Sequence, residues 1–285
     1  MPMRFLAVLA ATTGLLISGC GDSDSMVEGP VAQDPGPVHV HGLGINPGDG
    51  ALLIATHTGL FRTAAGENEA SRVSDSYQDT MGFAVVGPDR FLGSGHPDGR
   101  DDLPPFLGLI ESRDAGQSWQ PVSLRGKADF HVLEAHGARI YGFGSDWETR
   151  AAQFLVSSDA GETWEERPVP EPLVSLAVDP NDPDRLVASG ESAIYASRDG
   201  GKSWQKRAAM AGLVVWRMPR ELILIGGDGS VHASVDGRNW REVGGIAGQP
   251  AAFESERDGL YVALHDGTIK HSSDGGASWS IRSRP

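Results

Sequence analysis

The chain holds 285 residues, 39% of them hydrophobic, and carries a net charge of −14 at neutral pH. That length and apolar content supply one large domain or two small ones. No basic run stands ready to neutralise phosphates, so the sequence speaks against DNA or RNA as a partner, and the acidic surplus reads as a solubility feature.

In chain order, Arg4 precedes an apolar run from Phe5 to Ile17. It is too short for a permanent membrane span, and reads as a signal peptide over residues 1–19. It ends in Leu16, Ile17, Ser18, Gly19 and Cys20, which resembles a bacterial lipobox. The resemblance implies that Cys20, the single cysteine, becomes a lipidated N-terminus. The expected location is then extracytoplasmic, with the lipid anchored in the outer face of the cytoplasmic membrane or the protein held in the periplasm or outer membrane. Residues 20–37 are polar, rich in Pro and Gly and without hydrophobic period, as a flexible tether would be. The folded domain is expected over residues 38–285.

Within that domain a pattern Ser-x-Asp-x-Gly-x-Ser/Thr-Trp begins at Ser112, Ser157, Ser197 and Ser272, with a shorter copy from Ser234 to Trp240. Its aspartates are Asp114, Asp159, Asp199, Asp236 and Asp274, separated by 45, 40, 37 and 38 residues; its tryptophans are Trp119, Trp164, Trp204, Trp240 and Trp279. A carboxylate that accepts turn N–H groups, followed by a glycine, describes a hairpin turn, and the tryptophan buries apolar surface on the returning strand. The spacing is that of a four-stranded blade, so the expected fold is all-β, a single β-propeller of about six four-stranded blades. Blades open at Val38, Met81, Asp129, Leu173, Leu213 and Pro250, and the first lacks the pattern. The repeats resemble the Asp-box (BNR) motif of sialidases and sortilin-type receptors. That resemblance implies a structural role for the ten Asp and Trp residues, at the blade periphery.

In each blade the Asp-boxes join the third and fourth strands. The opposite face is therefore built from the loops between second and third strands and the starts of the innermost strands. That face receives His39, His41, His57, His96 and His131, five of the nine histidines, with His265 as a weaker sixth. His39 and His41, two apart on a strand, should point to one side, as should Asp129 and His131. Further carboxylates on this rim are Asp79, Asp98, Asp101, Asp102, Asp146, Glu148, Glu191, Asp228 and Asp266. Imidazoles with a carboxylate suit copper or zinc, which makes His39, His41, His57, His96, His131 and Asp129 a candidate metal set. A metal-free polar pocket is the other reading of the same residues.

The segments His39 to Leu43, Ala55 to Phe61, Met81 to Phe83 and Gly108 to Ile110 resemble a bacterial lipoprotein group often labelled glycosyl hydrolase or exo-sialidase-like. A sialidase needs three arginines, a Tyr paired with a Glu, and an acid/base Asp. Here His39 and His41 stand where an Arg-Ile-Pro motif would open the first blade, the arginines nearest the rim are Arg62, Arg100, Arg150 and Arg217, and Tyr77 is the tyrosine nearest to it. Sialidase activity is not expected. Another hydrolase would draw its acid/base pair from Asp98 and Asp146. The alternatives are a non-enzymatic scaffold that presents loops to a protein or peptide, as in sortilin-like receptors and photosystem-assembly propellers, and a copper- or zinc-binding protein; a glycan is the other ligand that a polar pocket would take.

Overall fold

The computed structural model describes residues 34–146 and 148–284; the signal segment, Cys20 and the tether as far as residue 33 lie outside the described residues. Every regular element described is a β-strand. Strands follow one another in sequence order in six separate four-stranded sheets, each an antiparallel meander. The innermost strands are Val40–Ile45, Asp79–Gly87, Ala128–His136, Leu173–Asp179, Leu213–Met218 and Pro250–Glu256, within two residues of the starts expected from sequence.

Burial explains why the second strands read as continuous apolar runs. Leu52–Thr56 and Gly259–Leu264 are buried along their whole length, because each blade packs against a neighbour on both faces. Six apolar clusters result, one at each junction between blades. At the third junction, for example, Tyr141, Phe143 and Phe154 of blade three meet Leu173, Leu176 and Leu186 of blade four.

Each box ties its own blade to the preceding one. In the second blade Ser112 Oγ donates to Asp114 Oδ1 (2.9 Å) and accepts Gly116 N–H (2.8 Å), while Asp114 accepts both the N–H and the hydroxyl of Ser118 (2.9 and 2.6 Å). Asp159, Asp199 and Asp274 repeat this geometry; Asp236 does so with Arg238 N–H and the main- and side-chain N–H groups of Asn239. Hydrogen bonds from the Ser203 side chain and backbone, foremost, hold the Asp199 carboxyl down at about 2. Gly161 has φ +90°, and a Cβ there would collide with Leu109 Cδ2 of the preceding blade. Trp119, Trp164, Trp204, Trp240 and Trp279 lie against the same five junctions.

The sixth junction has no box, and it closes the ring by other means. Val40, Leu43 and Phe61 of blade one pack on Ala252, Tyr261 and Ile269 of blade six. At the perimeter the Arg282 guanidinium donates to the carbonyls of Glu67 and Ala64, Ser283 Oγ donates to Asn68 O (3.2 Å), and Glu69 and Arg284 form a parallel bridge. Blade one supplies its own short fourth strand, Ser71–Arg72, so no strand from the far end completes it.

Gly161→Ala should lower stability by about 2 kcal/mol, because alanine is strained in the left-handed backbone and its Cβ would clash with Leu109 of the preceding blade. Thr163→Ala, on the exposed side of the same box, should cost no more than about 1 kcal/mol. Urea unfolding of the two variants checks the order; equal losses would contradict a docking role for the glycine.

Candidate functional site

A β-bulge builds the mouth of the central channel. The ladders slip between Val40 and Gly42, between Thr80 and Gly82, and between Phe130 and Val132, leaving His41, Met81 and His131 as the extra residues. Equivalent slips leave Val174 and Ala251 extra in blades four and six. A bulge redirects a side chain, and all five of these residues line a cavity of about 200 Å³. The bulges interrupt the strand alternation from which a shared side is expected for His39 with His41 and for Asp129 with His131, although Asp129 and His131 still meet at 3.0 Å. His39 precedes its strand with φ +52° and is exposed, its ring edge-on to His57 at 6.1 Å.

The residue two before the bulge supplies the carboxylate. Asp79 and Asp129 head the innermost strands of blades two and three at matching positions, and are only 7% and 3% exposed. The chain runs close to its partner strand here: a Cβ on Gly95 would strike Asp79 O, and one on Gly144 would strike Asp129 O. Around Asp79 stand three imidazoles, with His57 Nδ1 2.9 Å and His96 Nδ1 3.2 Å from Oδ2, and His41 Nε2 3.5 Å from Oδ1. The other nitrogen of His96 is 3.5 Å from Asp129 Oδ2, which also lies 3.0 Å from His131 Nε2. One histidine thus bridges two buried carboxylates. Phe106 covers the His96 ring at 5.6 Å.

The electrostatics follow from this crowding. Burial alone would raise the Asp79 carboxyl, but His41 and His96 at hydrogen-bonding range, and the charges of His57 and His41, outweigh it and hold Asp79 well below the usual carboxylate range. The hydrogen bond to Asp79, opposed by burial and assisted by Asp129, raises His96 above its ordinary value. Three buried polar atoms still lack a hydrogen-bond partner: His41 Nε2, Asp79 Oδ1 and Asp129 Oδ1. The 3.5 Å between the first two is at the outer limit of a hydrogen bond. Ligand atoms of His41, His57 and Asp79 all lie within 4.8 Å of one another, a spacing open to one metal ion.

Of the expected metal set, His41, His57, His96, His131 and Asp129 come together, and His39 stands beside them without reaching a carboxylate. Sequence reasoning placed Asp79 on the rim but outside the set, where it proves central, and it missed Met81. The signal was present: His39/His41, Asp79/Met81 and Asp129/His131 occupy the same two positions in successive blades. His265 is exposed, and the cluster does not include it. His232 bonds Ser230 Oγ (3.0 Å) and His271 lies against Tyr261 (4.7 Å), away from the rim.

The hydrolytic candidates sit in settings unlike that of a proton donor. Asp98 takes Arg100 Nε and Nη2 (3.0 and 2.6 Å) and Tyr77 N–H (2.8 Å), and the Arg100 bond foremost keeps it well below its ordinary value. Asp146 accepts the Thr149 hydroxyl and N–H, which also lower it. Nor do the arginines gather: Arg62 pairs with Asp49 (2.7 Å) and Arg217 with Glu221 (3.0 Å), both on the box side, and Tyr77 is covered by Arg72. Deeper in the channel, burial pushes Glu134 up to about 8, and burial with repulsion from Glu134 and Glu256 raises Glu254.

Fold and mouth together define the class, a six-bladed Asp-box β-propeller with a histidine–carboxylate face. Residues 108–244 match the family model described as sortilin, neurotensin receptor 3 (Sortilin-Vps10). The human VPS10 domain-containing receptor SorCS2 is 26% identical over 102 residues, a stretch that covers 34% of this chain and only 9% of the receptor. Among solved structures, a gluconolactonase from Xanthomonas campestris superposes with a TM-score of 0.63 at 15% identity, over 85% of this chain and 84% of that one. YCF48 bound to a D1 peptide superposes with a TM-score of 0.55 at 16% identity, over 87% and 82%. These likenesses support the sortilin-like, Asp-box reading of the repeats, and the structural ones establish the propeller fold alone.

Glu134 gives the channel a pH signature. Its pKa is raised above the unfolded value, so the neutral form favours folding; that contribution is complete below about pH 4.5 and lost as pH rises through about 8. Glu134→Gln should therefore gain on the parent by on the order of 1 kcal/mol between pH 6 and pH 9 in urea unfolding. A pH-independent difference between the two proteins would contradict a raised Glu134 carboxyl.

Proposed function

We propose that this propeller is a binding protein whose channel mouth holds a transition-metal ion, copper or zinc, through His41, His57 and Asp79. The observation that carries the reading is the convergence of these three donors within 4.8 Å while His41 Nε2 and Asp79 Oδ1 stay buried without a hydrogen-bond partner. A buried polar atom left unpaired costs about 1–3 kcal/mol. A cation between the two would satisfy both at once. His57 and His131 each hold one ring nitrogen against a buried carboxylate, which fixes the ring and leaves the other nitrogen free to bind. Met81 lines the cavity that His41 and His131 also line, and its thioether is a donor type that copper(I) takes readily.

Binding is favoured over hydrolysis because Asp98 and Asp146 are held ionised by local hydrogen bonds and neither is poised as an acid. A second reading, capture of a protein or peptide over the same face, has the support of the sortilin-like match and the peptide-bound YCF48 structure.

Plasma mass spectrometry on the purified, untagged protein, loaded with copper or zinc and exchanged into metal-free buffer, tests the metal reading. About one ion per chain is expected, with at least a ~10-fold loss of affinity in a His41→Ala, His57→Ala double variant. An unloaded parent, or a variant that retains metal as the parent does, would contradict it.

A further inference from the structure

A second site lies on the opposite, box-bearing face, between blades four and five. There the turns and strand ends of the two blades leave a groove of about 630 Å³ lined by Arg185, Arg198, Arg207, Arg220, Arg238 and Trp216. A chain of net charge −14 has gathered five guanidinium groups around one opening. Arg185 is the one with a carboxylate partner, Asp179 (2.6 Å), and its guanidinium lies 5.1 Å from the centre of the Trp216 ring. Arg198, Arg207, Arg220 and Arg238 have no ion pair among the described residues.

The lining also contains Asp236, but that carboxylate is already consumed by its own turn: it accepts the N–H groups of Arg238 and Asn239, the Asn239 side-chain amide and the Ser234 hydroxyl. Two donors reach deeper. Arg207 Nε and Trp216 Nε1 are buried and have no hydrogen-bond acceptor. Native proteins rarely leave such donors unpaired, since each costs the desolvation of the group. Among the described residues no acceptor lies within hydrogen-bonding reach of either.

We propose that this groove is a binding site for a multivalent oxyanion of the phosphate class, carried by a soluble phosphate compound or by a lipid headgroup. Guanidinium forks match tetrahedral oxyanions in bidentate geometry, and a dianion would offset the mutual repulsion of the four unpaired arginines. Burial foremost, then the charges of Arg238 and Arg198, lower the proton affinity of Arg207, with Asp236 opposing them in part. Arg207 Nε and Trp216 Nε1 would donate from the floor, while the exposed Arg198, Arg220 and Arg238 close on the ligand from the rim. The site shares no residue with the histidine mouth, so each is testable with the other disabled.

Calorimetric titration of inorganic pyrophosphate into metal-free protein at low salt is the test, with an Arg198→Ala, Arg238→Ala double variant beside the parent. Both side chains are exposed on box turns, so the fold should survive their loss. Saturable binding that weakens at least ~10-fold in the variant, and with added salt, is expected. A His41→Ala, His57→Ala protein should bind pyrophosphate as the parent does. Flotation with phosphatidylglycerol vesicles separates the two sources. Vesicle binding that pyrophosphate and the double variant both abolish assigns a headgroup; pyrophosphate binding without flotation assigns a soluble ligand. No pyrophosphate binding at millimolar concentration, or binding that is unchanged in the double variant, would overturn the proposal.

Discussion

Each blade of this protein presents two apolar faces, and neither is covered until a neighbour lies against it. The second strands carry a continuous buried apolar stretch in every blade, so each blade depends on its neighbours to cover both of its faces. Five junctions carry a box tryptophan, and at four of them the box glycine also lies tightly against the preceding blade. The sixth joins the two ends of the domain, and there Arg282 and Ser283 grip the backbone of residues 64–68 in place of a tryptophan. The repeated turn geometry is therefore structural chemistry: five aspartates are spent on holding their own loops.

Closing the ring brings six strand starts to one opening, and the bulges decide what faces into it. An extra residue at the same place in five blades swings a side chain toward the channel, and in blades one to three that residue is His41, Met81 or His131. The carboxylates two residues earlier, Asp79 and Asp129, are buried beneath them, and close passage of the backbone over Gly95 and Gly144 keeps them there. Blades four to six place Val174, Leu213 and Ala251 at the mouth, so the polar half is confined to one side. Three converging donors, a buried Asp79, a half-buried His41 and an exposed His57, are the consequence of a backbone irregularity repeated around a symmetric fold.

Much of this was legible in the sequence. The boxes located five of the six blades and their spacing matched a four-stranded blade, because an Asp–Gly turn followed by tryptophan recurs once per repeat. The histidine face followed from topology. The bulges were not legible, since no residue type announces them; strict alternation put His39 and His41 on one side, and the extra residue in the strand undid it. For the same reason Asp79 was passed over as the centre of the cluster. Arg62 and Arg217 were placed near the rim but lie at the box ends of their strands, paired with Asp49 and Glu221. The arginine groove was hidden differently: its members sit on separate strands and turns across two blades, so the sequence shows no basic run although the fold assembles a basic site.

The account stands or falls on where a metal ion goes. A crystal of the protein grown with copper or zinc, measured at the absorption edge of that metal, would give an anomalous difference map that needs no assumption about ligands. The account predicts one strong peak at the channel mouth, about 2.0–2.2 Å from the nearest nitrogen and oxygen atoms of His41, His57 and Asp79. A peak confined to His232 or His271, or no peak at all on the histidine face, would contradict it.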